Sequence, residues 1–369
     1  MNRAIDVRRR QILLSSAGAA AATGLAGLAP DALAKDKPLP DYAAFKDASR
    51  VIVHSSKTIE TRRSAFGTSV IVPDDILYVR NNLPPPNAMV VSDRNAWQVS
   101  IEGVRKPGKL TVGQLKSIGV TTVAAVLQCS GNGRAFFPHK ASGTQWSVGA
   151  AGCVIWSGVP VAAVVEAMGG VADGKSFMAG RGGGSLPAGI DPKSVEVERS
   201  VPLSAMDDAL LAWELNGDPL PLAHGGPLRL VVPGYYGINN VKYLNRLAFT
   251  DKETAAKIQA SGYRFRPVGQ KGKPGQPSMW EMNIKSWINN PAGGTVRAGV
   301  VQINGVAFSG GKGVRLVEVS VDGGKNWEEA KFLGPNLGKY AWREFIYPDR
   351  KSTRLNSSHM SESRMPSSA

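Results

Sequence analysis

The chain has 369 residues, of which 43% are hydrophobic and 20% are charged. This length predicts about two domains, and this composition excludes a wholly disordered chain. The formal net charge of +15 at pH 7 suits an anionic substrate or partner as well as a nucleic acid. Because the basic residues are scattered and no nucleic-acid-binding motif is present, we predict no nucleic-acid partner.

The N-terminal 34 residues predict an export signal. Arg8 and Arg9 precede an apolar, Ala- and Gly-rich stretch that ends in the small-residue site Ala32-Leu33-Ala34. This order is typical of a cleaved signal peptide, and the paired arginines are typical of the twin-arginine type. The stretch is too weakly apolar to predict a membrane anchor, and no later segment predicts a membrane span. We therefore expect a periplasmic protein without residues 1–34.

Residues 35–265 predict a mixed α+β domain built from short elements. Residues 97–118 predict a strand, a glycine turn, a second strand and the start of a helix, and residues 121–129 predict a buried strand. A helix is then predicted to stop at Gly169-Gly170. Residues 209–221 predict a strand–turn–strand unit, and residues 227–250 predict two strands around a glycine-containing loop.

The rest of the chain predicts a second, all-β domain. Residues 266–279 form a Gly/Pro/Lys linker. Residues 314–332 alternate apolar and polar positions on either side of the hairpin signal Asp322-Gly323-Gly324. Short strands with glycine turns over 276–350 predict an immunoglobulin-like β-sandwich. Such a sandwich needs about seven strands, and this stretch has room for most of them, so we expect a truncated domain. The Ser-rich segment 351–369 predicts a disordered, non-native tail.

Cys129 is the most informative residue of the first domain. It ends an apolar run and is followed by Ser130-Gly131-Asn132-Gly133-Arg134. A thiolate binds transition metals well, and a nearby arginine and turn amides are expected to lower the thiol pKa. No cluster of metal-ligand residues surrounds Cys129, so an organic cofactor would have to supply further ligands. A purely structural cysteine remains an alternative.

Cys153 is the second of the two cysteines. Its small, apolar neighbours predict a buried residue without a chemical role. In an exported protein a Cys129–Cys153 disulfide is also possible, and the sequence does not exclude it.

An ordered set of motifs resembles the sulfite oxidase family. These motifs are YVRNNLP at 78–84, LQCSGNGR at 127–134, GTQWSVGAAGCVIWSGVPV at 143–161 and the segment 209–244. The similarity extends over about residues 50–350. It implies a molybdopterin-binding domain followed by an immunoglobulin-like dimerisation domain, which agrees with the two domains predicted from the pattern.

The resemblance also implies roles for particular residues. Cys129 would be the thiolate ligand of a mononuclear molybdenum held by a single molybdopterin. The residues implied to act on substrate are Arg80, Arg134, Trp146 and Tyr263, of which the two arginines would bind an oxyanion. The residues implied to hold the pterin and its phosphate are Tyr78, Asn81, Asn82, His224, Arg229, Asn240 and Lys242.

The sequence departs from the family pattern at three places. Asn82 stands where the family often has a histidine. A further active-site cation from the second domain is implied within residues 338–345, where Lys339 and Arg343 are both candidates. The Gly-rich stretch 179–189 replaces an acidic region near the pterin. No haem motif is present, so the resemblance implies electron transfer to an external cytochrome c.

The leading functional hypothesis is therefore a dimeric, periplasmic sulfite dehydrogenase that oxidises sulfite to sulfate. One alternative on the same fold is a reductase of methionine sulfoxide or another S- or N-oxide. An alternative of a different class is a cofactor-free periplasmic binding protein with a Cys129–Cys153 disulfide.

Overall fold

The protein is represented by a computed structural model that describes residues 37–139, 141–293, 296 and 299–349, together with the backbone of 363–364. The predicted signal segment 1–34 lies outside the described residues. In this described part, three short α-helices occur: α1 Val112–Ile118, α2 Val161–Ala167 and α3 Pro192–Val195. Within the described part, no helix is long and apolar enough to cross a membrane.

The first region contains thirteen strands in three sheets. They are β1 Val51–Ser55, β2 Thr58–Thr61, β3 Val79–Arg80, β4 Gln98–Glu102, β5 Gly108–Thr111, β6 Thr121–Gln128, β7 Ala151–Pro160, β8 Phe177–Gly182, β9 Glu198–Pro202, β10 Leu210–Leu215, β11 Asp218–Pro219, β12 Arg229–Val231 and β13 Leu244–Thr250. The sheets run β1-β2-β3, β11-β10-β7-β6 with β12 also paired to β10, and β5-β4-β13-β8-β9. The predicted α+β class is confirmed.

Local sequence explains most of these elements. The apolar run before Cys129 forms β6, which pairs with β7 over its whole length and is buried at its C-terminal half. Helix α1 begins at a capping box in which Thr111 and Gln114 satisfy each other's backbone N–H groups. Helix α2 follows Pro160, and Gly169 then adopts φ +83°, a conformation that ends helices.

The described residues of the second region form strands and no helix. They are β14 Lys285–Asn290, β15 Val301–Phe308, β16 Glu318–Val319, β17 Glu328–Glu329, β18 Lys331–Leu333, β19 Arg343–Asp349 and β20 Ser363–Arg364. They form the sheets β14-β15-β19-β18 and β17-β16-β20. Ile288, Ile303, Val319 and Phe345 belong to one buried cluster, so both sheets share a core, as in a sandwich.

The predicted hairpin around residues 322–324 is present, because β16 and β17 pair antiparallel on either side of it. Its strands are two residues long each, shorter than the alternating pattern predicted. The tail 351–369 lies outside the described residues except for β20, whose backbone pairs with β16. Disorder of that tail stays a prediction.

The two regions meet at a pair of glycines. Gly234 has φ +83°, and a Cβ atom there would lie 1.8 Å from the carbonyl oxygen of Gly310 in the second region. The carbonyl of Gly234 also accepts a hydrogen bond from the backbone N–H of Met282 at 2.9 Å. The backbones of the two regions can approach this closely only because position 234 has no side chain.

We expect Gly234→Ala to lower the free energy of unfolding by about 2–6 kcal/mol, since a left-handed alanine costs ~1–3 kcal/mol and overpacking ~1–3 kcal/mol more. Gly269→Ala is the matched control, because Gly269 has φ +82° but open space around it. Urea unfolding of both variants measures the difference. Equal losses in the two variants would show that the contact between the regions contributes nothing.

Candidate active site

Cys129 is the first residue after β6, at the base of a cleft. Its backbone N–H donates to the carbonyl of Ala150 and its carbonyl accepts from the N–H of Asn132, both at 2.9 Å. The residue is 8% exposed. Cys153 is fully buried opposite Val126 in the β6–β7 ladder, and both cysteines are free. The structure thus confirms Cys153 as a buried apolar residue and does not contain the disulfide.

The glycines around Cys129 make room for two cations. The guanidinium of Arg134 folds back over the turn, so that a Cβ atom at Gly131 would lie 2.4 Å from its Nη2 atom and one at Gly143 2.6 Å from its Nη1 atom. Gly133 has φ +87°, and a Cβ there would lie 3.2 Å from Nζ of Lys285. The turn therefore needs small residues because charged groups pack directly on its backbone.

Two adjoining cavities, of about 730 and 700 Å³, meet at Cys129. We call the one that reaches Arg134 and Trp146 the anion cavity, and the one that reaches His224 and Lys242 the deep cavity. Both are lined by Arg80, Asn81, Asn82, Cys129, Ser130 and Tyr263. No Asp or Glu is among the described residues that line either cavity. All twelve predicted site residues line at least one of them.

The anion cavity presents two arginines without a carboxylate. Arg80, at the end of β3, donates to the carbonyl of Asn81, and Arg134 donates through Nη1 to the carbonyl of Thr144 at 2.7 Å. Neither forms a salt bridge with a described Asp or Glu. Since guanidinium groups bind oxyanions through paired hydrogen bonds, this cavity is suited to a small anion.

Two aromatic residues complete the anion cavity. Trp146 is 1% exposed, and its ring lies edge-on to that of Tyr78 with centroids 6.3 Å apart. Tyr263 directly follows a π-helical turn, Ile258–Gly262, a rare conformation that often occurs at functional sites. The guanidinium carbon of Arg199 lies 5.7 Å from the centroid of the Tyr263 ring. Tertiary packing thus brings both predicted aromatic residues beside Cys129.

Burial controls the electrostatics of the thiol. It raises the pKa of Cys129, and the backbone of Gly131 with Arg80, Arg134 and Lys285 offsets only part of that effect. The arginine and the turn backbone lower this pKa as expected, but loss of hydration outweighs them, so the net pKa of the thiol is raised. Burial likewise raises the pKa of Tyr263.

The deep cavity is strongly cationic. The ammonium of Lys242 donates to Oδ1 of Asn81 at 2.7 Å and to the carbonyl of Ala223 at 2.6 Å. Arg229 donates through Nη1 to the carbonyl of His224 at 2.7 Å. Burial, followed by repulsion from Arg229, holds the pKa of Lys242 well below its usual value. These positive groups face one another without a described counter-ion.

The deep cavity fits a cofactor that carries an anionic group. Nδ1 of His224 and Nδ2 of Asn81 are buried and have no hydrogen-bond partner in the described structure. Buried polar atoms are normally satisfied, and buried cations normally have counter-charges, so an anion with hydrogen-bonding groups would complete this cavity. Within the described residues, no group of three or more His, Cys, Asp or Glu could hold a metal ion. A metal at Cys129 therefore needs ligands from a cofactor.

Asn240 lines the deep cavity, but its side chain supports the loop. Its Oδ1 atom accepts from the N–H of Val232 at 2.8 Å, and its Nδ2 atom donates to the carbonyls of Tyr235 and Tyr236 at 3.3 Å. Asn240 thus shapes the loop between β12 and Lys242. That Asn240 also binds the cofactor directly stays a prediction.

Neither candidate cation of the second region lines a cavity. Lys339 is half exposed and lies 3.4 Å from Oδ2 of Asp208, and the guanidinium of Arg343 stacks 4.1 Å above the ring of Phe332. In the described structure neither side chain reaches the two cavities, and the role that the resemblance implies for one of them stays a prediction. The second region instead contributes Lys285 behind the cysteine turn, where its Nζ donates to the carbonyl of Asn132 at 2.5 Å.

Sequence reasoning missed two lysines beside the site, the buried Lys46 and the half-buried Lys285. Lys46 is 4% exposed and its Nζ lies 2.7 Å from Nε2 of His224. Burial lowers the pKa of Lys46 to about 7 and that of Lys285 to about 8. Lys46 lies in a polar, irregular segment and Lys285 in an ordinary strand, so no local pattern distinguishes them from surface lysines.

We expect Lys242→Met to weaken the binding of the implied molybdopterin cofactor roughly 10- to 150-fold, because a charged hydrogen bond contributes ~1.5–3 kcal/mol. Less molybdenum and pterin should then be retained per chain. Metal analysis and fluorescence of the extracted pterin measure the retained cofactor. The exposed Lys252→Met is the matched control and should retain both. Full retention in Lys242→Met would show that the anionic end of the cofactor lies elsewhere.

A cysteine between an anion cavity and a cationic cavity, on an α+β region followed by a β-sandwich, agrees with what the resemblance implies, and the comparisons with known proteins show the class, a molybdopterin-dependent oxidoreductase. The family model described as oxidoreductase molybdopterin binding domain matches residues 86–258, and that of the Mo-co oxidoreductase dimerisation domain matches residues 276–352. The sulfite oxidase of Arabidopsis thaliana is 32% identical over 289 residues, which cover 73% of this chain and 72% of that protein. The chain belongs to the sulfite oxidase family.

Two further relatives agree with this assignment. Mouse mitochondrial sulfite oxidase is 34% identical over 293 residues, covering 74% of this chain and 52% of that protein, so the chain spans about half the length of this animal relative. The crystal structure of the sulfane dehydrogenase SoxCD from Paracoccus pantotrophus superposes with a TM-score of 0.67 at 28% identity, covering 81% of this chain and 73% of that one.

Proposed function

We propose that the protein oxidises sulfite to sulfate at a molybdenum centre and passes the electrons to an external cytochrome c. The observation that carries the proposal is the pair Arg80 and Arg134, which face the cavity of Cys129 without a described carboxylate. A doubly cationic pocket favours a small oxyanion over a neutral sulfoxide, since a neutral ligand would leave both half-buried charges uncompensated. The sulfite oxidases and sulfane dehydrogenase named above support a sulfur-containing substrate.

Each residue has a part in this reaction. The guanidinium groups of Arg80 and Arg134 would bind the oxygen atoms of the anion and orient its sulfur toward Cys129. Trp146 would form the wall that limits its position. The hydroxyl of Tyr263 would stay protonated, since burial raises its pKa, and could donate a hydrogen bond.

The deep cavity would hold the cofactor. Lys242, Arg229 and His224 would bind its anionic end, and the Cys129 thiolate would bind the metal after loss of its proton. When bound, the molybdenum centre supplies the two-electron oxygen-transfer chemistry that no side chain can perform.

The direct test uses the full-length protein exported by its own signal. Molybdenum and pterin are measured per chain, and the reduction of cytochrome c is followed with and without sulfite. We expect near-stoichiometric metal and reduction that depends on sulfite. Metal-loaded protein that reduces methionine sulfoxide with a reduced dye, but does not oxidise sulfite, would favour the reductase hypothesis. Protein without metal would favour a cofactor-free binding protein.

We also propose a periplasmic location and a homodimeric state for the protein. The paired residues Arg8 and Arg9 support export to the periplasm, which fractionation of cells expressing the Arg8→Lys, Arg9→Lys double variant would test.

The dimerisation-domain match at residues 276–352 supports a homodimer. Light scattering of the purified protein would detect it, and a monomer at micromolar concentration would contradict it.

A further inference from the structure

Glu60 is a buried carboxylate with an unusual number of hydrogen bonds. It lies in β2 and is 1% exposed. Its Oε1 atom accepts from the N–H and the hydroxyl of Ser147, each at 2.7 Å, and from the N–H of Gly149 at 3.0 Å. Three donors on one oxygen of a buried carboxylate make a strong, directional anchor for the segment that follows Trp146.

The other oxygen of Glu60 reaches the ring that packs on Trp146. Oε2 lies 2.7 Å from Nε2 of His54. The imidazole of His54 stands edge-on to the indole of Trp146, with centroids 5.2 Å apart at 80°. One carboxylate thus restrains Trp146 twice, through the backbone of the next residue and through the ring beside it.

The segment 146–150 also holds the cysteine turn. The carbonyl of Trp146 accepts from the N–H of Ala135 at 3.0 Å, and that of Ser147 from the N–H of Gly133 at 2.6 Å. The carbonyl of Ala150 accepts from the N–H of Cys129 at 2.9 Å. Any shift of this segment would therefore move both a wall of the anion cavity and the turn that carries Cys129.

The packing leaves the segment little freedom to find another position. A Cβ atom at Gly149 would lie 1.8 Å from the carbonyl oxygen of Thr61 and 2.7 Å from Cγ of Glu60. The N–H of Thr61 donates to the carbonyl of Gly149 at 3.2 Å. Backbone contact between β2 and the segment places the Glu60 carboxylate directly against its donors.

We propose that Glu60, together with His54, is a positioning residue of the active site, which sets the place of Trp146 and of the cysteine turn. Neither residue lines the anion cavity, so neither touches the substrate. The expected effect on sulfite kinetics rests on the proposed function, whereas the expected effect on the position of Trp146 does not. It adds a function for the strands β1 and β2, which precede residues 86–258 matched by the molybdopterin-domain model.

Three variants separate positioning from simple stability. Glu60→Ala removes both sets of hydrogen bonds, and Glu60→Gln keeps an accepting oxygen for the segment. His54→Phe keeps the ring contact and removes the bond to Glu60. Glu344→Gln is the matched control, because Glu344 is a 3% exposed glutamate of the second region that lines neither cavity.

The first readout needs no substrate. Holoprotein labelled with 5-fluorotryptophan is studied by fluorine NMR, and the Trp146 signal is assigned by its loss in Trp146→Phe. We expect that signal to shift or broaden in Glu60→Ala, to change less in Glu60→Gln and His54→Phe, and to stay unchanged in Glu344→Gln. An unchanged Trp146 signal in all three site variants would overturn the proposal.

The second readout is kinetic, at equal molybdenum content. We expect kcat/KM for sulfite to fall by up to about 100-fold in Glu60→Ala, the loss that misplacement by about 1 Å can cause, and we expect KM to change more than kcat. Glu60→Gln should recover part of the loss. A parallel fall of kcat in every variant, Glu344→Gln included, would indicate a merely structural role. If the wild type does not oxidise sulfite, the proposed function fails while the NMR result still decides the positioning role.

Discussion

Cys129→Ser is expected to leave a folded protein that does not reduce cytochrome c when sulfite is added. A serine hydroxyl is a hard, weakly acidic ligand and replaces a soft thiolate poorly at molybdenum. The surrounding turn should survive, because its hydrogen bonds to Ala150 and Asn132 come from the backbone of residue 129.

The measurements are sulfite-dependent cytochrome c reduction, molybdenum content and thermal unfolding. Cys153→Ala is the matched control, because Cys153 is as buried as any core residue and lines neither cavity. It should keep its molybdenum and its activity and lose only some stability. Wild-type turnover in Cys129→Ser would end the assignment of Cys129 as metal ligand.

Arg80→Met and Arg134→Met are each expected to raise KM for sulfite by roughly 10- to 150-fold. A charge-assisted hydrogen bond contributes ~1.5–3 kcal/mol, and each ~1.4 kcal/mol is a factor of ten in affinity. Lysine at either position should recover only part of the affinity, because it keeps the charge but not the planar fork that binds two oxygen atoms.

Steady-state kinetics at fixed ionic strength measure the effect, since salt screens charge interactions. The matched control is Arg105→Met, because the Arg105 side chain is 65% exposed and its partner is the exposed Asp173. Arg134→Met should also loosen the turn, since the guanidinium packs on Gly131 and Gly143. Normal KM values in both Arg80→Met and Arg134→Met would place the anion site elsewhere.

The contiguous stretch 121–134, which contains β6 and the cysteine turn, was the most predictable part of the site from sequence. The apolar run before Cys129 became β6, and the turn glycines followed it as expected. Short elements such as β3 and β16 were less predictable, because two-residue strands have no periodicity of their own. Their pairing depends on partners that are distant in the chain.

The sequence by itself determined the two kinds of domain, the buried Cys153, the cysteine turn and, by resemblance, the set of residues around the cavities. It could do so because these features depend on local pattern or on ordered motifs. The tertiary structure alone decided that Lys285 rather than Lys339 or Arg343 approaches the turn, that Glu60 and His54 hold Trp146, and that burial raises the pKa of Cys129. The pKa of Cys129 depends on its loss of hydration, and the other features depend on contacts between residues that are distant in the chain. The residues next to each of these positions in the sequence encode neither property.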